Sequence, residues 1–269
     1  MKAMKAMKLY DRVERIHNEL AILELGGTAP LTVEQLTQFD QYHYFGTEAV
    51  DEAIVALGVR RGMRVLDIGS GIGGPARYIA AKTGAHVTAL ELQPDLDALA
   101  ADLTQRCGLA RLVEHRCGNI LDGLGEAYVA VVSFLCFLHI ADRDRLLAAC
   151  RADLAMGGGM YIEDFAMLRE PTADEAAQLE VKVQCPALPS PTEYGEQLRA
   201  AGFVDVRVDD VTSQWSAFTT SRLEEFRASR KRNIAVHGLD IVDGLDDFYA
   251  TVARLFDTGV IAGLKILAR

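Results

Sequence analysis

Apolar residues change their spacing along this chain in a regular way. Within residues 11–27, Val13, Ile16, Leu20 and Leu23 fall three or four apart, the spacing that gathers side chains on one face of a helix. Thr32 followed three residues later by Gln35 forms a capping-box pattern, which opens a second short helix. Asp51 to Leu57 reads as a third helix closed by Gly58. From there short apolar runs alternate with amphipathic stretches. Strands are predicted near 64–69, 86–92, 112–117, 128–135 and 159–165, with helices near 75–83, 94–107 and 142–154. Such alternation predicts a parallel sheet covered by helices on both faces, with ligands held beyond the carboxyl ends of the strands.

Two stretches break the alternation. Residues 169–190 are polar and punctuated by Pro171, Pro186 and Pro189, with helical character from Thr172 to Lys182. A helix over Pro191–Ala201 and a strand over Phe203–Val208 follow, then a long helical insertion at about 214–256 and a last strand within Val260–Ala268. The resulting division is an N-terminal helical lid over 1–58, a core over 59–168 and an insertion over 169–190. The core continues over 191–213, a helical cap follows over 214–256, and a closing strand fills 257–269. Lid and insertions are expected to cover the strand ends.

A chain of 269 residues, half of them hydrophobic, suffices for one α/β domain with a full core. Its 28 basic and 38 acidic residues leave a net charge of −10, which argues against a nucleic acid partner and against an anionic membrane surface. A small-molecule substrate is expected, and a monomer or homodimer. The five cysteines Cys107, Cys117, Cys136, Cys150 and Cys185 show no C-x-x-C spacing and read as free thiols in a reducing compartment. The opening Met-Lys-Ala repeats lack an apolar signal region, and no run nears the roughly 18 apolar residues of a spanning helix. A cytoplasmic location is expected. Six scattered histidines make no metal-ligand spacing, so no metal is expected.

The densest chemistry lies in Val65-Leu66-Asp67-Ile68-Gly69-Ser70-Gly71-Ile72-Gly73-Gly74, a short strand, a glycine-rich turn and the start of a helix. Glycines let such a turn reach backbone angles closed to other residues and let a ligand lie against bare main chain. Gly69-x-Gly71-x-x-Gly74 satisfies the dinucleotide fingerprint, a weak match alone. Asp67 lies two residues before the first glycine, and Glu91 closes the next apolar strand, where a carboxylate can accept from both ribose hydroxyls. Together these residues resemble the first motif of class I S-adenosylmethionine (SAM) dependent methyltransferases, Asp-x-Gly-x-Gly-x-Gly. The resemblance implies a doubly wound, Rossmann-like, mainly parallel seven-stranded α/β sheet with an antiparallel last strand and helical lid insertions. It implies SAM as cofactor. Gly69, Ser70, Gly71 and Gly73 would admit it to the backbone, Asp67 would lie beneath its ammonium and Glu91 on its ribose. Leu92 would pack on the adenine, with Asn119 and Ile120 beside it. Asn119 stands where the family has Asp; its side-chain oxygen can still accept from the adenine amino group.

On the acceptor side, Ser133-Phe134-Leu135-Cys136-Phe137-Leu138-His139, the entry segment Phe39-Asp40-Gln41-Tyr42-His43-Tyr44-Phe45-Gly46 and Gln214-Trp215 resemble one sub-group. It holds the sarcosine/dimethylglycine and phosphoethanolamine N-methyltransferases and, more loosely, tocopherol-type C-methyltransferases. The resemblance implies catalysis by His139 with a lid tyrosine, either Tyr42 or Tyr44. Relatives carry a polar residue and an Asp where this chain has Phe134 and Leu135. Burying an ammonium without a carboxylate is costly, which turns the expectation toward a neutral or anionic, partly apolar acceptor. His139 could then deprotonate a hydroxyl, a carbon acid or a thiol. Phe134, Cys136, Glu163 and Trp215 are expected to line the acceptor pocket, with Cys185 a second thiol near it. Competing expectations are an NAD-dependent oxidoreductase using the same glycine turn, against which Asp67 and the closing strand count, and a non-catalytic SAM-binding protein.

Overall fold

The computed structural model describes residues 13–269; the Met-Lys-Ala repeats and the first two residues of the helix expected from position 11 lie outside the described residues. Three helices come first: α1 (Glu14–Ile22), α2 (Val33–Leu36) and α3 (Gly46–Leu57). The alternating core follows as β1 (Arg64–Ile68), α4 (Gly74–Thr83), β2 (His86–Glu91), α5 (Pro94–Arg106), β3 (Val113–Cys117), β4 (Tyr128–Phe134), α6 (Arg143–Ala152) and β5 (Leu154–Met167). The chain ends with α7 (Ala173–Val181), α8 (Pro191–Ala200), β6 (Val206–Asp210), α9 (Thr212–Ala228), α10 (Arg230–His237), α11 (Leu239–Asp257) and β7 (Ile261–Ala268).

The seven strands form one sheet in the order β3-β2-β1-β4-β5-β7-β6. All neighbours pair in parallel except β7, which runs antiparallel to both β5 and β6. Alternate side chains of β1 serve opposite faces. Leu66 and Ile68 join Leu146 and Leu147 of α6 and Leu198 of α8 in one buried cluster. Val65 joins Val50 of α3 and Ile79 of α4 in another. The expected doubly wound architecture is therefore the one observed.

Several boundaries moved, each for a local reason. The third helix starts at Gly46 rather than Asp51, because Phe45 in left-handed backbone (φ 57°) turns the chain directly into it. Strand β5 starts at Leu154, opposite Tyr128, but its next partner pair is Gly159 with Ala130; the residues between bulge out, with Gly157 at φ 77°. The sixth strand lies at Val206–Asp210 rather than 203–208, since Phe203 is needed in the core beside Leu198. The insertion is three helices, broken at Ser229 and at Gly238 (φ 85°).

Two further clusters build the roof over the carboxyl ends of the strands. Ile16, Leu20 and Leu36 of the N-terminal helices pack with Leu96, Leu99 and Leu103 of α5. Tyr44, Phe165, Trp215, Val252 and Phe256 join the C-terminal helices to the sheet. Glu19 fastens the two halves of the roof, accepting from Arg232 at 2.8 Å and bonded to His237 at 2.9 Å. Among the described residues no helix is long and apolar enough to cross a membrane.

Candidate active site

The glycine turn between β1 and α4 opens a cavity at the carboxyl ends of β1, β2 and β4. Of the residues expected to hold the cofactor, Asp67, Gly69, Ser70, Gly71, Glu91, Leu92, Asn119 and Ile120 all line it. Gly69 and Gly71 are left-handed (φ 72° and 54°). A side chain on Gly69 would overlap Cys136, whereas a Cβ on Gly71 would meet nothing within 4 Å and would project into open space. Gly73 is different. It does not line the cavity; a Cβ there would crowd Arg77 Nη1 at 2.8 Å and His115 Cε1 at 2.9 Å, so its bareness serves packing under α4.

In this cavity Asp67 Oδ2 and Ser70 Oγ are buried without a hydrogen-bond partner in the protein. Asp67 is 1% exposed, and burial together with the nearby Glu91 charge pushes its carboxyl up to about 7. Glu91 is braced on both oxygens, accepting the Gly71 N–H at Oε2 and the Gln93 N–H at Oε1, each at 2.9 Å. Burial raises its pKa and those N–H groups oppose the rise. A carboxylate offers about four acceptor positions, so each oxygen can take one more donor. Asn119 Oδ1 accepts the Leu121 N–H at 3.0 Å and so starts the short turn Ile120–Asp122; it likewise has one position left. These features fit SAM: a carboxylate and a hydroxyl for an amino-acid end, a braced carboxylate for ribose hydroxyls, and bare backbone between them.

A second cavity adjoins the first under the roof helices. Tyr42, His43, Leu135 and His139 line both. His139 sits on the single turn Phe137–His139 just after β4. Asp164 fixes that turn by accepting the Leu138 N–H at 3.0 Å, and Arg143 donates to the Phe137 carbonyl at 2.8 Å. The His139 ring bonds the Gln184 carbonyl through Nδ1 at 3.0 Å. A carbonyl can only accept, so Nδ1 carries the proton in the neutral ring and Nε2 is the basic nitrogen. His43 lies over Phe134, ring centroids 4.7 Å apart, and bonds the Gly46 carbonyl at 2.9 Å. Burial lowers both imidazoles to about 4. Tyr42 and Tyr44 are both raised to about 12 by burial, and only Tyr42 reaches the first cavity as well as the second.

Three non-glycine residues in left-handed backbone surround this junction: Phe45, Leu135 and Gln184 (φ 57°, 53° and 58°). Such conformations persist only where the surroundings impose them. Leu135 is in the wall itself, and Gln184 supplies the carbonyl that holds His139.

The structure separates the residues expected around the acceptor. Phe134 and Cys136 line the first cavity rather than the second. Burial holds the Cys136 thiol above its ordinary range and therefore neutral. Cys185 lies in the roof cluster, outside both cavities. Glu163 faces neither; it is fully buried, accepts from the Tyr161 hydroxyl at 3.1 Å and lies 3.8 Å from Lys265. Trp215 faces neither. Its indole is fully buried against Gly263 of β7, where even a Cβ would overlap the ring, with Tyr44 edge-on at 4.8 Å. Among the described residues no group of His, Cys, Asp and Glu is placed to hold a metal ion.

The second cavity also contains residues that sequence reasoning passed over: Arg15, Arg222, Phe248 and Tyr249. On a helical insertion without a motif, an inward arginine has the same sequence signature as a solvated one. Asp40 lines the first cavity instead; its fully buried carboxylate accepts from the fully buried Arg77 at 2.9 Å and ties the Tyr42 segment to the first turns of α4.

Comparison with known proteins agrees with this geometry. Residues 41–208 match the family described as a methyltransferase domain. Phosphoethanolamine N-methyltransferase 1 of Zea mays is 28% identical over 187 residues, a match covering 69% of this chain and 37% of that protein. The chain thus spans well under half the length of that relative. Among solved structures, the Haemonchus contortus phosphoethanolamine N-methyltransferase 2 in complex with phosphomonomethylethanolamine and S-adenosylhomocysteine superposes with a TM-score of 0.79 at 19% identity, covering 97% of this chain and 59% of that one. A putative sarcosine dimethylglycine methyltransferase from Galdieria sulphuraria gives 0.76 at 19% identity, covering 96% and 98%.

Proposed function

Since this chain belongs to the methyltransferase-domain family, we propose that it transfers a methyl group from SAM to a small molecule that is neutral or anionic rather than a cationic amine. The observation that carries the reading is the pair of cavities sharing Tyr42, His43, Leu135 and His139 as common wall. The first has the donors and acceptors of a SAM cradle. Among the described residues, no Asp or Glu lines the second, so no carboxylate there balances an ammonium. Its relatives are named for amine substrates; the departure at Leu135, which lines both cavities, supports a different acceptor.

When bound, SAM supplies a methyl group already activated on a positively charged sulfur. The protein's part is then to align, to exclude water and, for a hydroxyl, carbon acid or thiol, to remove a proton. His139 suits the last task. At neutral pH its ring is uncharged, the Gln184 carbonyl fixes the tautomer, and Nε2 is the nitrogen able to accept. An anionic acceptor alongside would raise its depressed basicity.

The test is incubation of the protein with SAM and fractionated metabolite extracts, read by mass spectrometry for S-adenosylhomocysteine and a product heavier by one CH₂. A cationic amine as preferred acceptor would overturn the acceptor class, and absence of S-adenosylhomocysteine binding would overturn the methyltransferase reading. With a product in hand, His139→Ala should lower kcat by about 10²-fold or more while cofactor affinity holds. Native turnover in that variant would reduce His139 to packing.

A further inference from the structure

The C-terminal roof helices carry several arginines, and most are matched to carboxylates. Arg227 pairs with Asp246 at 2.8 Å, Arg230 with Asp243 at 2.5 Å and Arg232 with Glu19 at 2.8 Å. Arg222, on the same helix as Arg227, has no ion pair among the described residues. It points instead into the second cavity. Its guanidinium carbon lies 4.9 Å from the Tyr44 ring centre, 5.6 Å from Phe218 and 4.4 Å from Tyr249. Aromatic faces hold a guanidinium in place but accept few of its N–H bonds. Its Nε and Nη2 are shut off from solvent without a hydrogen-bond partner. Arg15 lines the same cavity, 5.8 Å from the Tyr42 ring centre, with its Nε also buried and unpartnered. In a chain with an excess of ten acidic charges, two arginines facing a cavity without one carboxylate is a chemical statement about what enters.

We propose that Arg222, with Arg15 beside it, is the seat for an oxyanion group of the acceptor, which is therefore an amphiphilic organic acid. The apolar body of the acceptor lies among Phe165, Val183, Phe218, Leu245 and Phe248, which line the same cavity. Its methyl-accepting atom reaches the wall formed by Tyr42 and His139. A carboxylate or a phosphate monoester meets the requirement, since either accepts two parallel N–H bonds from a guanidinium fork. This inference rests on the methyltransferase reading and adds to it the substrate class and the residue that selects it.

The experiment is calorimetric titration of the protein saturated with S-adenosylhomocysteine, using 4-phenylbutyrate, 3-phenylpropyl phosphate, 4-phenylbutyramide and 4-phenylbutylammonium. At least one of the two oxyanions should bind tenfold or more tightly than the amide, and the ammonium should bind weakest. The tighter of the oxyanions identifies which acid the seat was shaped for. Arg222→Gln should weaken the preferred oxyanion by about ten- to a hundred-fold, the range for a hydrogen bond to a charged group. Arg222→Lys should retain part of the preference, having the charge without the fork. S-adenosylhomocysteine affinity should be unchanged in both variants, R222Q should melt slightly lower for loss of its ring contacts, and the ligand panel on the unaltered protein stands even if one variant folds poorly. Equal binding of amide and oxyanions, no binding of either oxyanion, or an R222Q protein that binds them as before would each overturn the inference. If the unaltered protein fails to bind S-adenosylhomocysteine at all, the methyltransferase reading falls first.

Discussion

Binding of the cofactor should release a proton from Asp67. Without ligand its carboxyl is raised to about 7, mainly by burial and secondarily by Glu91. Relative to the ordinary value of 3.8, that shift disfavours the charged form by about 4 kcal/mol. A ligand bringing an ammonium group to Oδ2 reverses the preference, so the complex holds the ionised form. At pH 6 about a tenth of the free protein has Asp67 ionised, and at pH 7 about half. Affinity for S-adenosylhomocysteine should therefore rise about fifteenfold between pH 5.5 and 7, and by no more than about twofold above that. Calorimetry at pH 6 in two buffers of different ionisation enthalpy should report nearly one proton released per ligand. The other cavity groups do not imitate this: His43 and His139, lowered to about 4, stay neutral across the window. Asp67→Asn should flatten the profile, and any slope left in that variant belongs to Glu91. Affinity independent of pH in the unaltered protein, with no proton released, would refute the assignment of Asp67. Unfolding of the free protein is a poorer readout because opposite signs overlap. Asp67 binds its proton more tightly folded than unfolded, so its contribution to stability falls as pH rises from about 4 to 7. The two histidines bind theirs less tightly folded, and their contribution is lost as pH falls from about 6.5 to 4.

Glu91→Ala should weaken S-adenosylhomocysteine by roughly ten- to a hundred-fold in calorimetry, through lost ribose bonds and loss of the brace on the Gly71 and Gln93 N–H groups. Glu91→Gln should do nearly as badly, because its amide nitrogen would face one of those donors; native affinity in either variant would take Glu91 out of the cradle. Gly263→Ala should destabilise the fold by about 1–3 kcal/mol or more in chemical denaturation, since its methyl meets the rigid indole of Trp215 and neither ring nor strand can yield cheaply. Unchanged stability there would show that the α9 packing is looser than its geometry implies.

The core was legible because its signals are local. Each strand of the alternating half is a short apolar run, and each strand end at the cofactor cavity carries its own chemical marker: Asp67 within β1, Glu91 closing β2 and Asn119 just beyond β3. The roof was legible only as helix. Trp215 resembles a binding-site aromatic, but whether it faces ligand or sheet depends on Gly263, some fifty residues away, offering a bare patch of strand. Glu163 misled in the same way: it follows a strand pattern, but its partners Tyr161 and Lys265 turn it into the sheet's helix-covered face. Arg222 left no trace because helical spacing fixes a face without naming which face meets a cavity. Gly73 looked identical to its neighbours in the motif, and only the position of His115 on a distant strand shows that its bareness serves packing.

The buried pair of Asp40 and Arg77 divides the molecule into parts with different freedom to evolve. Arg77 grows from the helix that follows the glycine turn, and Asp40 from the segment that delivers Tyr42 and His43. Losing either strands a charge in the interior, at a cost of several kcal/mol, so these two segments can change only in concert. Among the described residues, the wall contributed by Phe218, Arg222, Leu245, Phe248 and Tyr249 has no such ion pair to the glycine turn. Substitutions there can accumulate one at a time, each altering what fits beside the common junction while the glycine turn stays untouched. New acceptor preferences in a lineage built this way would therefore arise through the C-terminal helices, and the N-terminal segment would record ancestry.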